Sequence, residues 1–283
     1  MAGDRDWKNR PELIAAPQGL SGMTKKFIGF GFAAGFVLFF LLIAVTSAFP
    51  GGQSAGGEEI LISTHGRYPQ RVLLKLPNGF DSKKKYPLIV GLHGHGGDAA
   101  GFATAFSGFR DQPVLIAVPQ GEYQTAGGGW SWYLKTEDRS LWEAADSVTV
   151  ARVVDAISEI AATYPVEKIF VFGFSQGASL AYMVGLRNPS LIAGVAAVSG
   201  YLPEIDEQGA LLHVAEIAKA KKVRIFVGRG VSDNLVSREE YTRQVEYLSK
   251  AGFVVTTYEF QGGHTLTGML MARMWKWLKE GLI

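Results

Sequence analysis

A serine hydroxyl becomes a useful nucleophile only when an imidazole takes its proton. The imidazole in turn needs a carboxylate on its other nitrogen to fix its tautomer and stabilise its charged form. The sequence offers a serine, a histidine and an aspartate in settings that suit these roles. Ser175 stands in "GFSQG", between the apolar block "KIFVF" and the helix-like run "ASLAYMVGL". A turn that tight, between a buried strand and a helix, is strained, and Gly173 and Gly177 remove side chains that would clash there. The serine is then held at the strand's carboxyl end. There a parallel sheet opens onto a ligand crevice, and the next helix presents its free N–H groups. Glycine is abundant, 35 of 283 residues, so the pentapeptide alone decides little and its setting must carry the reading.

His264, in "FQGGHTL", falls after the last strand-like run and before the last helical one. Asp233, in "VGRGVSDNLVS", falls just past an earlier strand. Ser175, Asp233 and His264 thus occur in the chain order of a hydrolase triad, each following a strand. Asp233 with Asn234 also suits a turn or the cap of a helix starting near Ser237. Asp206, past the run that ends at Tyr201, is the rival acid. Acyl transfer further requires donors aimed at the developing oxyanion. The backbone N–H of Gln176 is one, with its side chain secondary, and the N–H of His95 in "LHGHGGD" is the other. The His93 and His95 side chains then read as structural. In "GGGWSWYLKTEDRSLW", Trp130, Trp132 and Tyr133 either wall a substrate pocket or pack as core under a long loop.

The elements that must position these groups alternate. Strand-like runs are "RVLLKLP", "PLIVGLHG", "VLIAVPQG", "KIFVFGFS", "GVAAVSGY", "VRIFVGRG" and "VVTTYEF". Helical patterns lie near Trp142 to Thr163, Gln176 to Arg187, Arg238 to Ala251 and Leu266 to Lys279. Near-continuous apolar strands separated by helices predict an α/β fold with a mainly parallel sheet covered on both faces. The connection from Leu202 to Lys222 is too short for a large cap, so an open site is expected.

A formal net charge of +2 gives no nucleic-acid signal, and the absence of cysteine excludes disulfides, thiolate metal sites and a cysteine nucleophile. The histidine spacing makes no metal motif. Phe27 to Ala48 carries no charge and follows Lys25 and Lys26. It reads as a transmembrane anchor with the rest of the chain on the extracytoplasmic side, or as a cleaved export signal starting from Met23. The expected division is a leader at 1–26, the membrane or signal segment at 27–48, a linker at 49–59 and a catalytic domain at 60–283.

"LHGHGGD", "VPQG" with downstream "GGWSWY", "GFSQGASLAY", "AAVSGYLP", "GRGVSDNLV" and "GGH" together resemble the phospholipase/carboxylesterase family that includes acyl-protein thioesterases. The resemblance spans about Leu88 to Leu266. It implies an α/β-hydrolase fold, a Ser175, Asp233, His264 triad, and hydrolysis of carboxylic esters or thioesters without metal or organic cofactor. Small-molecule, lipid or aryl esters are the expected substrates. The chain departs from the family in reading Gly228-Arg229-Gly230 where "HG" is common, and Ser237 where proline is common. The membrane segment is expected to set it apart from cytosolic thioesterases and to disfavour acylated cytosolic proteins as substrates. A peptidase on the same fold and a non-catalytic binding protein are the alternatives.

Overall fold

The apolar runs that read as strands form the centre of the molecule, with helices on both sides. The computed structural model describes residues 58–134, 138–203, 205 and 212–282. Its eight-stranded sheet runs, in spatial order, β1 (Glu59–Ser63), β2 (Arg71–Lys75), β4 (Leu115–Pro119), β3 (Tyr86–Leu92), β7 (Val166–Phe174), β8 (Gly194–Val198), β9 (Arg224–Gly230) and β10 (Val255–Phe260). β2 pairs antiparallel with β1 and β4, and every other pairing in this sheet is parallel. A short hairpin, β5 (Tyr123–Gln124) and β6 (Trp130–Ser131), stands apart from it. This is the α/β-hydrolase arrangement the sequence resemblance implies.

Period-two alternation along buried strands divides the core into two layers. Ile89, Ile116, Phe170, Phe172 and Phe226 face one side. They pack there with α1 (Ala99–Ala103), a 3-10 turn (Thr104–Phe109) and α6 (Gly268–Glu280). Leu88, Val90, Leu115, Val171 and Ile225 face the other. That layer is closed by α2 (Arg139–Thr163), α3 (Gln176–Arg187), α4 (Val214–Lys219) and α5 (Arg238–Lys250). Each such side chain, once fully buried, contributes about 1.5–3 kcal/mol of transfer free energy. Phe172 also lies stacked on Phe102 at 5.7 Å and edge-on to Phe106 at 5.7 Å, which fixes α1 and the 3-10 turn against the central strand.

All seven expected strands are present, and the helix at Gln176–Arg187 has the expected bounds. α6 starts later than its pattern suggested because the Thr267 hydroxyl accepts from the Leu270 N–H at 3.2 Å and caps it there. β1, α1, α4 and the hairpin were not foreseen: each is short, and β1 is a half-exposed edge strand whose residues alternate around the expected domain start. Among the described residues, the connection after β8 carries α4 and no large cap. The expectations for 1–26, 27–48 and most of 49–59 lie outside the described residues.

Candidate active site

Ser175 occupies the turn between β7 and α3 with φ 55° and ψ −120°, a left-handed φ that L-residues rarely adopt. Such strain costs on the order of 1–3 kcal/mol and persists only where its surroundings enforce it. Here they do. A Cβ on Gly173 would stand 2.1 Å from the Gly177 carbonyl oxygen, and one on Gly177 would stand 2.2 Å from that of Leu92. The flanking residues must therefore be glycine for strand and helix to meet so closely. The Ser175 N–H donates to the Val198 carbonyl at 2.9 Å, tying the turn to the end of β8.

His264 lies in the loop between β10 and α6, its ring 4.9 Å from that of Phe174, the residue before Ser175. Its Nδ1 is 3.1 Å from both carboxylate oxygens of Asp233. An ionised carboxylate only accepts, so Nδ1 carries the proton, which in the neutral imidazole leaves the lone pair on Nε2. The Asp233 side chain is fully buried. Burial alone would push its carboxyl up. Hydrogen bonds from the Val236 N–H, the Leu235 N–H and His264 outweigh burial and hold it below the ordinary value. Asp233 thus satisfies both sequence readings, accepting the two turn N–H groups at 3.0 Å each while facing the imidazole.

The loop after β3 reaches the same place: a Cβ on Gly94 would meet the Cβ of Ser175 at 3.2 Å. His93 anchors that loop from beneath. Its buried Nε2 accepts from the Gly121 N–H at 3.0 Å, and Nδ1 donates to the Gly94 carbonyl at 2.8 Å. Burial lowers its pKa and keeps it neutral, as an accepting Nε2 requires. His95 is exposed. The hairpin holds the loop from the other side, through Gly96 N–H to the Trp130 carbonyl at 2.9 Å and Trp130 N–H to the Gly97 carbonyl at 2.8 Å.

The aromatic residues divide. Trp132 is fully buried, its ring 4.7 Å from that of His93 and its indole N–H on the His93 carbonyl at 2.7 Å. It is core rather than pocket wall. Trp130 and Tyr133 are half-buried. The Gln176 side chain also departs from expectation. Its amide oxygen accepts from the Trp132 N–H at 2.9 Å, and its amide nitrogen donates to the Ser131 hydroxyl at 3.0 Å. Gln176 therefore clamps the hairpin to the first residue of α3 as well as offering its N–H there.

The structure thus gathers Ser175, His264, Asp233, the Gly94 loop and Gln176 at the carboxyl ends of β3, β7, β9 and β10. Asp206 lies outside the described residues. Three supporting residues were missed. Ser199, with φ 50°, donates its N–H to the Gly228 carbonyl at 2.8 Å and so ties the end of β8 to β9. The Tyr201 hydroxyl donates to the Leu235 carbonyl. Arg229 donates to the Val236 and Asp233 carbonyls at 2.8 and 3.3 Å. A signal for Arg229 was present: beyond the Arg224 that opens the strand, a second cation stands inside the apolar run "IFVGRG".

Residues 80–281 match the model of a family described as phospholipase/carboxylesterase. An acyl-protein thioesterase 1 of Mycosarcoma maydis is 29% identical over 179 residues, 56% of this chain and 73% of that one. A probable carboxylesterase of Oryza sativa subsp. japonica is 32% identical over 147 residues, 52% of each chain. The crystal structure of Arabidopsis thaliana SOBER1 superposes with a TM-score of 0.58 at 21% identity, covering 70% of this chain and all of that one, which speaks to the fold. These matches overturn the expected extracytoplasmic placement. The relatives include the very thioesterases from which a membrane segment was expected to set this chain apart. Among the described residues no helix is long and apolar enough to cross a membrane. Residues 27–48 themselves lie outside the described residues, and the argument against acylated protein substrates falls with the placement.

Proposed function

The chain belongs to the phospholipase/carboxylesterase family, and from that premise we propose that it is a serine hydrolase cleaving carboxylic esters, thioesters included, through an acyl-enzyme. The observation that carries the reading is the strained Ser175, next in the chain to Phe174, whose ring lies against a His264 already hydrogen-bonded to a buried carboxylate.

His264 Nε2 takes the Ser175 proton as Oγ attacks the ester carbonyl carbon. The carbonyl oxygen, gaining negative charge, is received by the N–H groups of Gln176 and His95. Collapse of the tetrahedral species breaks the bond to the alcohol or thiol, which leaves with the proton from His264. Water then gives a proton to the same imidazole and attacks the acyl-enzyme, releasing the acid and restoring Ser175. Asp233 keeps Nδ1 protonated and stabilises the imidazolium throughout. The thioester part of the reading draws on the thioesterase relative.

The test is hydrolysis of chromogenic esters of short to long acyl chains, and of a thioester, by wild type and Ser175→Ala. Turnover should vanish in the variant while its thermal unfolding stays close to wild type. A variant that retains turnover would sink the reading.

A further inference from the structure

Arg229 is a cation inside a strand. It sits in β9 among Phe226, Val227 and Gly228, and its side chain is only 6% exposed. Burying a guanidinium is costly unless every edge of it is used. Here every edge is used. Nη1 lies 3.3 Å from the Glu259 carboxylate, across the parallel pairing that sets Glu259 opposite Arg229. Nε donates to the Val236 carbonyl at 2.8 Å, and Nη2 to that of Asp233 at 3.3 Å.

Both carbonyls belong to the turn between β9 and α5 that carries the acid. On its other side the same turn directs the Leu235 and Val236 N–H groups at Asp233 Oδ1. The turn is therefore gripped from two sides, its carbonyls by Arg229 and its N–H groups by the carboxylate it presents. The intervening Leu235 carbonyl takes the Tyr201 hydroxyl. We propose that Arg229 is a positioning residue: its planar fork shapes the turn that aims the Asp233 carboxylate at His264.

Charged and titratable groups around this arrangement are few. Glu259 faces Arg229 from β10, Tyr241 of α5 lies within electrostatic reach of both, and exposed Arg238 reaches Glu259 at 3.5 Å. His264 faces Asp233 itself. Lysine would replace Arg229 only in part, because a compact ammonium keeps the charge but cannot serve three acceptors spread around a plane.

The kinetic consequence rests on the esterase reading, and the test separates the two. Arg229→Met, Arg229→Lys and wild type are compared by turnover of a chromogenic ester per site labelled with a fluorophosphonate. They are compared also by the acidic limb of kcat/KM and by the downfield proton resonance of His264 Nδ1–H. A misaimed carboxylate should lower kcat by about 10- to 100-fold in Arg229→Met, with KM changed far less. It stabilises the imidazolium less, so the acidic limb moves to lower pH, and the downfield resonance shifts or is lost. Arg229→Lys should recover part of the loss.

Counting labelled sites removes a mere shortage of folded protein. Wild-type turnover per site, an unmoved acidic limb and an unmoved resonance, in whichever variant folds, would overturn the role. If wild type neither labels nor turns over, the esterase reading fails, and the resonance alone decides on Arg229. Its displacement in the variants supports positioning, and its persistence rejects it.

Discussion

Gln176 shows how much one side chain can add to a role assigned to backbone. Its N–H is fixed by the start of α3, but its amide also satisfies the Trp132 N–H and the Ser131 hydroxyl. Gln176→Ala keeps the N–H and strands the Trp132 N–H, while the Ser131 hydroxyl keeps its Tyr133 partners. It should cost about 1–3 kcal/mol in denaturant unfolding, the range for leaving a buried partner unpaired. It should also lower kcat more than it raises KM, since the hairpin that braces the Gly94 loop is loosened. Unchanged kcat would mean that the backbone suffices. The sequence made Ser175, His264 and Asp233 legible because their chemistry is rare and their positions follow strands. It hid the clamping role of the Gln176 side chain and the Tyr201 hydroxyl because their partners lie more than thirty residues away along the chain, which no local pattern records.

At the scale of elements, the turn between β7 and α3 is decided by space. Gly177→Ala would put a methyl group 2.2 Å from the Leu92 carbonyl, so strand β3 and helix α3 would have to separate. Because that contact is backbone, it cannot yield as a flexible side chain would. The variant should lose both thermal stability and turnover, whereas Ser175→Ala should lose turnover alone, and differential scanning calorimetry beside an ester assay distinguishes them. The long buried strands and long helices were readable because both periodicities run for several residues. The hairpin was not, since two residues per strand carry no period and "GGGWSWY" reads equally as loop. Its identity comes from contacts with Gly96 and Gly97 rather than from its own sequence.

For the whole molecule, α2 holds a carboxyl whose charge opposes folding. Burial raises Asp146 to about 7 from an ordinary value of 3.8. Since the folded state holds this proton more tightly than the unfolded chain, Asp146 favours the fold at low pH and that contribution is lost as pH rises from about 4 to about 7. Asp146→Asn removes the titration. Urea unfolding should therefore show the variant gaining on wild type as the buffer moves from about pH 5 to about pH 8. A constant difference across that range would place the carboxyl outside the folding equilibrium.

The shared hairpin has a consequence for any attempt to redesign this enzyme. Trp130 and Tyr133, the half-buried aromatics, are obvious positions to vary for a new substrate range. Yet the backbone of Trp130 holds Gly96 and Gly97, and the next residues hold Gln176. Altering the size of a side chain there also moves the frame that carries both candidate oxyanion donors. Libraries at these positions should then yield broadened specificity together with slower chemistry, and variants that preserve rate should be those whose changes stop short of the main chain.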